Sequence, residues 1–151
     1  MSKIYSIVYQ TKPSVNKEAY HYTRTPIDTA NLIANHGIEG DRKAGKNKTR
    51  HLNIMSLETL QKHALDGYRV APGEMGEQII IEGLDIGSLK KGELIQIGES
   101  AVVRINNRRS GCEWFERVQG KTRYIDLGVM ASVIESGKIS VGDQVVVLQH
   151  A

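Results

Sequence analysis

Lys91-Gly92-Glu93-Leu94-Ile95-Gln96-Ile97, followed closely by Ala101-Val102-Val103-Arg104-Ile105, decides the fold class. Both runs concentrate β-branched and apolar residues over a strand's length, too short for a helix and without helical spacing. Lys91-Gly92 supplies the turn that starts the first run. The same order recurs at Val141-Gly142-Asp143-Gln144-Val145-Val146-Val147, where a glycine–acid turn again feeds a strand. A shared hairpin geometry accounts for this echo without any duplication. Ile79 to Glu82, Val129 to Ile134 and Gln144 to Leu148 read as further strands.

Working outward, Ile4 to Tyr9 is an opening strand with Tyr5, Ile7 and Tyr9 on one face and Ile4, Ser6 and Val8 on the other. Lys12-Pro13-Ser14 ends it, and residues from Asn16 to Ala34 carry no period that assigns them. His36-Gly37-Ile38-Glu39-Gly40-Asp41 reads as a tight turn, 42 to 49 as a polar loop, and His51 to Met55 as a strand. Ser56 can cap a helix whose Leu57, Leu60, Ala64 and Leu65 share one face, with His63 on the exposed side and Gly67 as the stop. Many short strands with one or two helices predict a mainly β single domain over residues 1–151, a closed or nearly closed β-barrel. Closure would also remove the exposed strand edges that so much β sequence creates.

Composition narrows the function classes. Hydrophobic residues make up 40% of 151, enough to build one core without covalent staples. The single cysteine excludes an internal disulfide and any multi-cysteine metal cage built from this chain alone. Histidines at 21, 36, 51, 63 and 150 make no tight metal-ligand spacing. The opening apolar run is too short and polar for a signal peptide, and no stretch approaches a membrane span, so a soluble, cytoplasmic protein is expected.

The net charge of +3 is unevenly spread. Arg42, Lys43, Lys46, Lys48 and Arg50 crowd one segment, while Arg104, Arg108 and Arg109 precede Cys112. Such patches invite an anion. The basic segment lacks interleaved aromatics, which argues against nucleic acid. Gly40-Asp41-Arg42-Lys43-Ala44-Gly45-Lys46-Asn47 has the glycine and lysine spacing of a phosphate loop, but Asn47 occupies the magnesium-binding hydroxyl position and no apolar helix follows. Arg42 and Arg50 can still cradle an anion. His51 borders this segment, and Glu77 can line a pocket. Asp41 is expected to bond backbone amides.

Cys112 lies in Arg108-Arg109-Ser110-Gly111-Cys112-Glu113-Trp114-Phe115, where a glycine link leads into a short helix. Neighbouring guanidiniums and a helix start favour a thiolate, and Gly111 would let the backbone approach a ligand. The Trp and Phe that follow would offer an apolar wall.

The order of His36-Gly37-Ile38-Glu39-Gly40-Asp41-Arg42, Arg50, Pro72-Gly73-Glu74-Met75-Gly76-Glu77, Glu82-Gly83-Leu84-Asp85, Cys112 and Gly137-Lys138-Ile139-Ser140-Val141-Gly142-Asp143 resembles the MOSC domain, named after the C-terminal domain of molybdenum cofactor sulfurases. The resemblance implies a barrel similar to the pyruvate-kinase barrel domain, with Cys112 as the functional cysteine. It implies one of two activities. Cys112 would carry sulfur as a persulfide received from a cysteine desulfurase, with pyridoxal phosphate on that partner, or it would ligate the metal of a molybdenum cofactor (molybdopterin). The second activity would reduce small N-hydroxylated substrates with electrons from a redox partner. Arg42, Arg50, His51, Glu77, Arg108 and Arg109 are then the candidates for holding the cofactor. Lys43 stands where many members carry histidine, and Gln78 where asparagine commonly follows the glutamate.

Overall fold

The computed structural model describes residues 1–11 and 22–150; Lys12-Pro13-Ser14 and His21, read above, lie outside the described residues. In chain order the strands are β1 (Lys3–Tyr9), β2 (Thr25–Pro26), β3 (Thr29–Ile33), β4 (Gly37–Ile38), β5 (Leu52–Ser56), β6 (Ile79–Glu82), β7 (Glu93–Ile97), β8 (Ala101–Arg108), β9 (Val129–Glu135), β10 (Gly137–Ser140) and β11 (Val145–His150). Helix α1 (Leu57–Leu65) joins β5 to the loop before β6, a 3-10 turn spans Ile86–Ser88, and α2 (Glu113–Gln119) lies between β8 and β9.

Eight strands form one sheet in the order β11-β7-β8-β9-β5-β6-β1-β2, and β10-β3-β4 form a second, smaller sheet. All pairs are antiparallel except β5 with β6. The mainly β expectation stands, but closure is corrected: the large sheet is an open half-barrel. Its β1 and β11 sides meet through a single bridge, Lys3 with Gln144, and a few backbone bonds such as Ile4 N–H to Asp143 O at 2.9 Å. The chain is turning at Ser140–Asp143 there, so no extended ladder can form.

The concave side of the sheet holds the main core, including Ile4, Leu52, Ile54, Ile79, Ile81, Ile95, Val103, Val129 and Val133. A second cluster covers the other face of β5 and β6, where Met55 and Ile80 meet Leu60, Tyr68, Met75, Phe115 and Leu127. Burial on both faces explains the unbroken Ile79-Ile80-Ile81 run, which an exposed antiparallel strand would not carry. Phe115 is completely buried, and that burial stabilises α2 by roughly 1.5–3 kcal/mol.

Three local readings change. A bulge between Ile4 and Ser6 breaks the alternation of β1, so Ile4 and Ile7 both enter the core. Ser56 precedes α1 but makes no side-chain cap; its hydroxyl donates to Leu84 O at 2.6 Å and accepts from Ile86 N–H at 2.8 Å. The buried face of α1 is Leu60 and His63, while Leu65 is exposed. His63 is therefore not a solvent-facing residue: its Nε2–H donates to Asp126 O at 2.6 Å, a partner that helical spacing alone does not reveal.

Candidate functional site

The site forms at Asn53 of β5 and Gln78 just before β6, beside the loops at 41–50 and 72–77 and Arg109 just after β8. Asn53 and Gln78 are side by side on this face, with Gln78 Oε1 accepting Asn53 N–H at 2.7 Å. They floor a cavity of about 380 Å³ walled by Lys43, Lys46, Asn47 and Arg50.

Arg109 follows the last residue of β8. Its amide continues the pairing by donating to Gly128 O at 2.9 Å, and its side chain turns inward until only 8% of the residue is exposed. One guanidinium nitrogen, Nη1, donates to Met75 O at 2.6 Å, whereas the buried Nε–H has no partner among the described residues. Arg24 behaves alike. Its Nη1 donates to Gln10 Oε1 at 3.0 Å and to Thr23 O at 3.3 Å, while buried Nε and Nη2 have no partner among the described residues. Its guanidinium also sits 5.4 Å from the ring centroid of Tyr22. Gly76 makes this packing possible, since a side chain there would meet Arg109 Nη2 at 2.7 Å and the Tyr22 ring at 3.0 Å, on a backbone with φ +83°.

Burial lowers the pKa of both arginines, opposed at Arg109 chiefly by Tyr22 and Glu77 and at Arg24 chiefly by Asp41 and Glu77. Lys43 is pushed down to about 8, first by burial and then by repulsion from Arg24, Arg50 and Arg109. The cations thus gather tightly enough to feel one another. Two carboxylates stand among them, and both are engaged by the protein's own donors. Asp41 accepts Gln10 N–H at 3.0 Å, as expected of it, and Glu77 accepts Gly73 N–H at 2.6 Å and Met75 N–H at 3.2 Å. Burial nevertheless raises the Glu77 pKa to about 7. Four cations against two occupied carboxylates leave positive potential to spare, and each unpartnered buried donor costs about 1–3 kcal/mol until something accepts from it.

Cys112 is exposed at the rim. It occupies the N-cap of α2, where its carbonyl accepts Glu116 N–H at 3.3 Å, and its sulfur lies within electrostatic reach of Arg109 and Tyr22. The thiol is therefore reachable.

Of the residues singled out in the sequence, Cys112, Arg109, Arg50 and Glu77 come together. Three do not. Arg108 points outward to Asp126, 3.7 Å away. Consecutive residues at a strand's end face opposite ways, so only one of the two arginines can turn inward. Arg42 is exposed on its turn, where its amide donates to Gln10 O at 2.8 Å. Lys43 takes the inward position instead. The buried ring of His51 is held away from this cluster, with Nδ1 accepting Val133 N–H at 3.0 Å. Gly111 approaches the chain's own Arg123 and Leu127 rather than open space, and Phe115 belongs to the core rather than to a pocket wall. Tyr22, Arg24 and Asn53 were missed. Arg24 and Tyr22 come from a stretch without periodicity, whereas Lys43 and Gln78 were marked only as substitutions within a family pattern.

The family model of the MOSC domain matches residues 41–146, most of the chain and nearly all of the site. The chain belongs to the MOSC domain family. Among solved structures, this MOSC protein is similar to the YuaD protein from Bacillus subtilis at 20% identity and a TM-score of 0.73, over 96% of this chain and 94% of that one. It is also similar to YiiM from Escherichia coli, at 21% identity and a TM-score of 0.71, over 99% of this chain and 71% of that one. YiiM from Geobacillus stearothermophilus matches at 18% identity and a TM-score of 0.72, over 99% and 76% of the two chains. These likenesses establish a common fold. No curated protein matches the chain.

Proposed function

We propose that this MOSC protein binds a molybdenum cofactor in the cationic cluster, with Cys112 offering a thiolate to the metal. The observation that carries this reading is the pair of buried guanidiniums, Arg24 and Arg109, with N–H groups that find no acceptor among the described residues, near an exposed thiol. A phosphate-bearing, anionic group is the chemistry such donors lack, and guanidinium forks bind phosphate oxygens better than ammonium groups do. Arg24, Arg50, Arg109 and Lys43 would hold the anionic part, Asn53 and Gln78 would orient it through hydrogen bonds, and Cys112 would supply the soft sulfur donor that such metals favour. When bound, the cofactor would supply two-electron redox chemistry suited to small N-hydroxylated substrates. The chain's own residues bind and neutralise charge, and the exposed rim leaves Cys112 open to an incoming substrate or redox partner.

The exposure of Cys112 also suits a second reading, a persulfide carrier loaded by a desulfurase that holds pyridoxal phosphate. Metal and pterin analysis of protein purified from cells that make the cofactor distinguishes the two. The first reading expects stoichiometric molybdenum, lost on Arg50→Gln or Arg109→Gln, weakened on Cys112→Ser and retained on Arg108→Gln. Folded protein free of molybdenum, with a trapped persulfide on Cys112, would replace the first reading with the second.

A further inference from the structure

The basic segment has a second flank. Lys48, His51 and Arg104, with Asn35, Ser132 and Ile134, line a separate cavity of about 410 Å³ that shares no residue with the one beside Arg50. We propose that this cavity binds the phosphate group of a small phosphorylated molecule.

The polar groups around it are arranged as donors. Asn106 is buried and organises them: its amide nitrogen donates to Thr49 O at 2.8 Å and to Ser132 Oγ at 2.6 Å, and its oxygen accepts Arg104 Nε–H at 3.3 Å. Ser132 Oγ donates in turn to Lys48 O at 2.6 Å. Both capacities of that hydroxyl are used, so it fixes the wall rather than competing for a ligand. The network fastens the backbone of residues 48 and 49 to the sheet and holds Arg104 by one edge, and its two terminal nitrogens make no hydrogen bond among the described residues.

His51 completes the set. Because Nδ1 accepts Val133 N–H, the ring proton resides on Nε2, which makes no hydrogen bond among the described residues. Lys48 and Arg104 form no salt bridge among the described residues, and no carboxylate lines the cavity. Two cationic residues and a histidine with a free N–H among the described residues line a space whose volume suits a small molecule. An oxyanion of high charge, presenting several acceptor oxygens, is the matching chemistry. With His51 only 4% exposed, a free phosphate group reaches it more readily than the stiff backbone of a polymer could.

The test is a titration of the isotope-labelled full chain with inorganic phosphate at fixed pH, with chloride adjusted to hold ionic strength constant. The His51 ring and the Val133 amide are followed by NMR. Saturable shifts at these two sites are expected, with affinity weakened roughly tenfold by Arg104→Gln and by Lys48→Gln, each the loss of one charge-assisted contact. Both residues are exposed, and amide shifts away from the cavity that match the wild type establish that each variant keeps the fold. Arg109→Gln leaves the shifts unchanged, which separates this site from the cofactor cluster. Shifts that grow linearly without saturation, or that persist unaltered in both variants, overturn the proposal. Either outcome leaves the molybdenum measurement unaffected.

Discussion

Glu77 offers the sharpest physical test of the site's construction. Its carboxyl is 1% exposed, accepts two backbone amides of its own loop, and titrates at about 7 instead of the ordinary 4.5. Burial is the dominant cause, outweighing the amide bonds and Arg109. A folded-state pKa raised above the unfolded one means that the native protein holds the proton more tightly. The contribution of Glu77 to stability is therefore fully present below about pH 4.5, falls as pH rises from there to about 7, and levels off above. The gap corresponds to about 3 kcal/mol in total, of which roughly 2–3 kcal/mol is lost between about pH 5 and pH 8. Glu77→Gln preserves shape but cannot ionise. One of the two amides loses its acceptor, a cost of about 1–3 kcal/mol that does not depend on pH. The assay is urea denaturation of both proteins across that range, plotted as the difference between their unfolding free energies. Histidines and other titrating groups are common to both and cancel. The variant is expected to gain on the wild type by roughly 2–3 kcal/mol as pH rises. A difference that stays flat with pH would refute the reasoning, because it would mean that the amides and guanidiniums stabilise the carboxylate as well as water does.

Two further outcomes follow from close contacts and crowded charge. At Gly128 φ is +77° and an added Cβ would sit 2.0 Å from Ile54 O, so Gly128→Ala should cost at least about 3 kcal/mol and lower the melting temperature by roughly 6–12 °C; a shift within error would show that β5 and β9 can separate freely there. Lys43, with its pKa near 8, should be acylated at about pH 8 ahead of the chain's other lysines, as read by peptide mass spectrometry, and cofactor or phosphate should slow that labelling; modification no faster than elsewhere would remove it from the crowded cluster.

How much of this was legible in the sequence depended on how local each signal was. The strands at 93–97 and 101–105 announced themselves because turn and alternation lie within a few residues. Cys112 stood out as the only cysteine, a few residues after three arginines, and the structure leaves it exposed at a helix start. The choice between Arg108 and Arg109 was not legible, because it depends on where β8 stops pairing with β9, a matter of register. Arg24 and Tyr22 were invisible for a related reason: what they do is set by packing against the turn at 73–76, far along the chain. His51 misled through proximity, since being next to a basic loop says nothing of which ring nitrogen the neighbouring strand will occupy. Barrel closure was inferred from the many short strands and their turns, but the open seam comes from the Ser140–Asp143 turn, which meets β1 through one bridge and a few backbone bonds instead of a ladder.

The one parallel pairing in the large sheet has a consequence of its own. Two strands running the same way cannot be joined by a tight hairpin, so the chain from β5 to β6 must make an excursion, here residues 57–78. That detour delivers Met75 to anchor Arg109 and Glu77 to brace its own loop, then ends on Gln78 in the cavity floor. Within it, the turn at 72–77 can be rewritten to remodel the ligand's surroundings, whereas Leu60 and Tyr68 earlier in the same excursion pack on β5 and β6 and are not free to change, so one connection divides the labour between recognition and support.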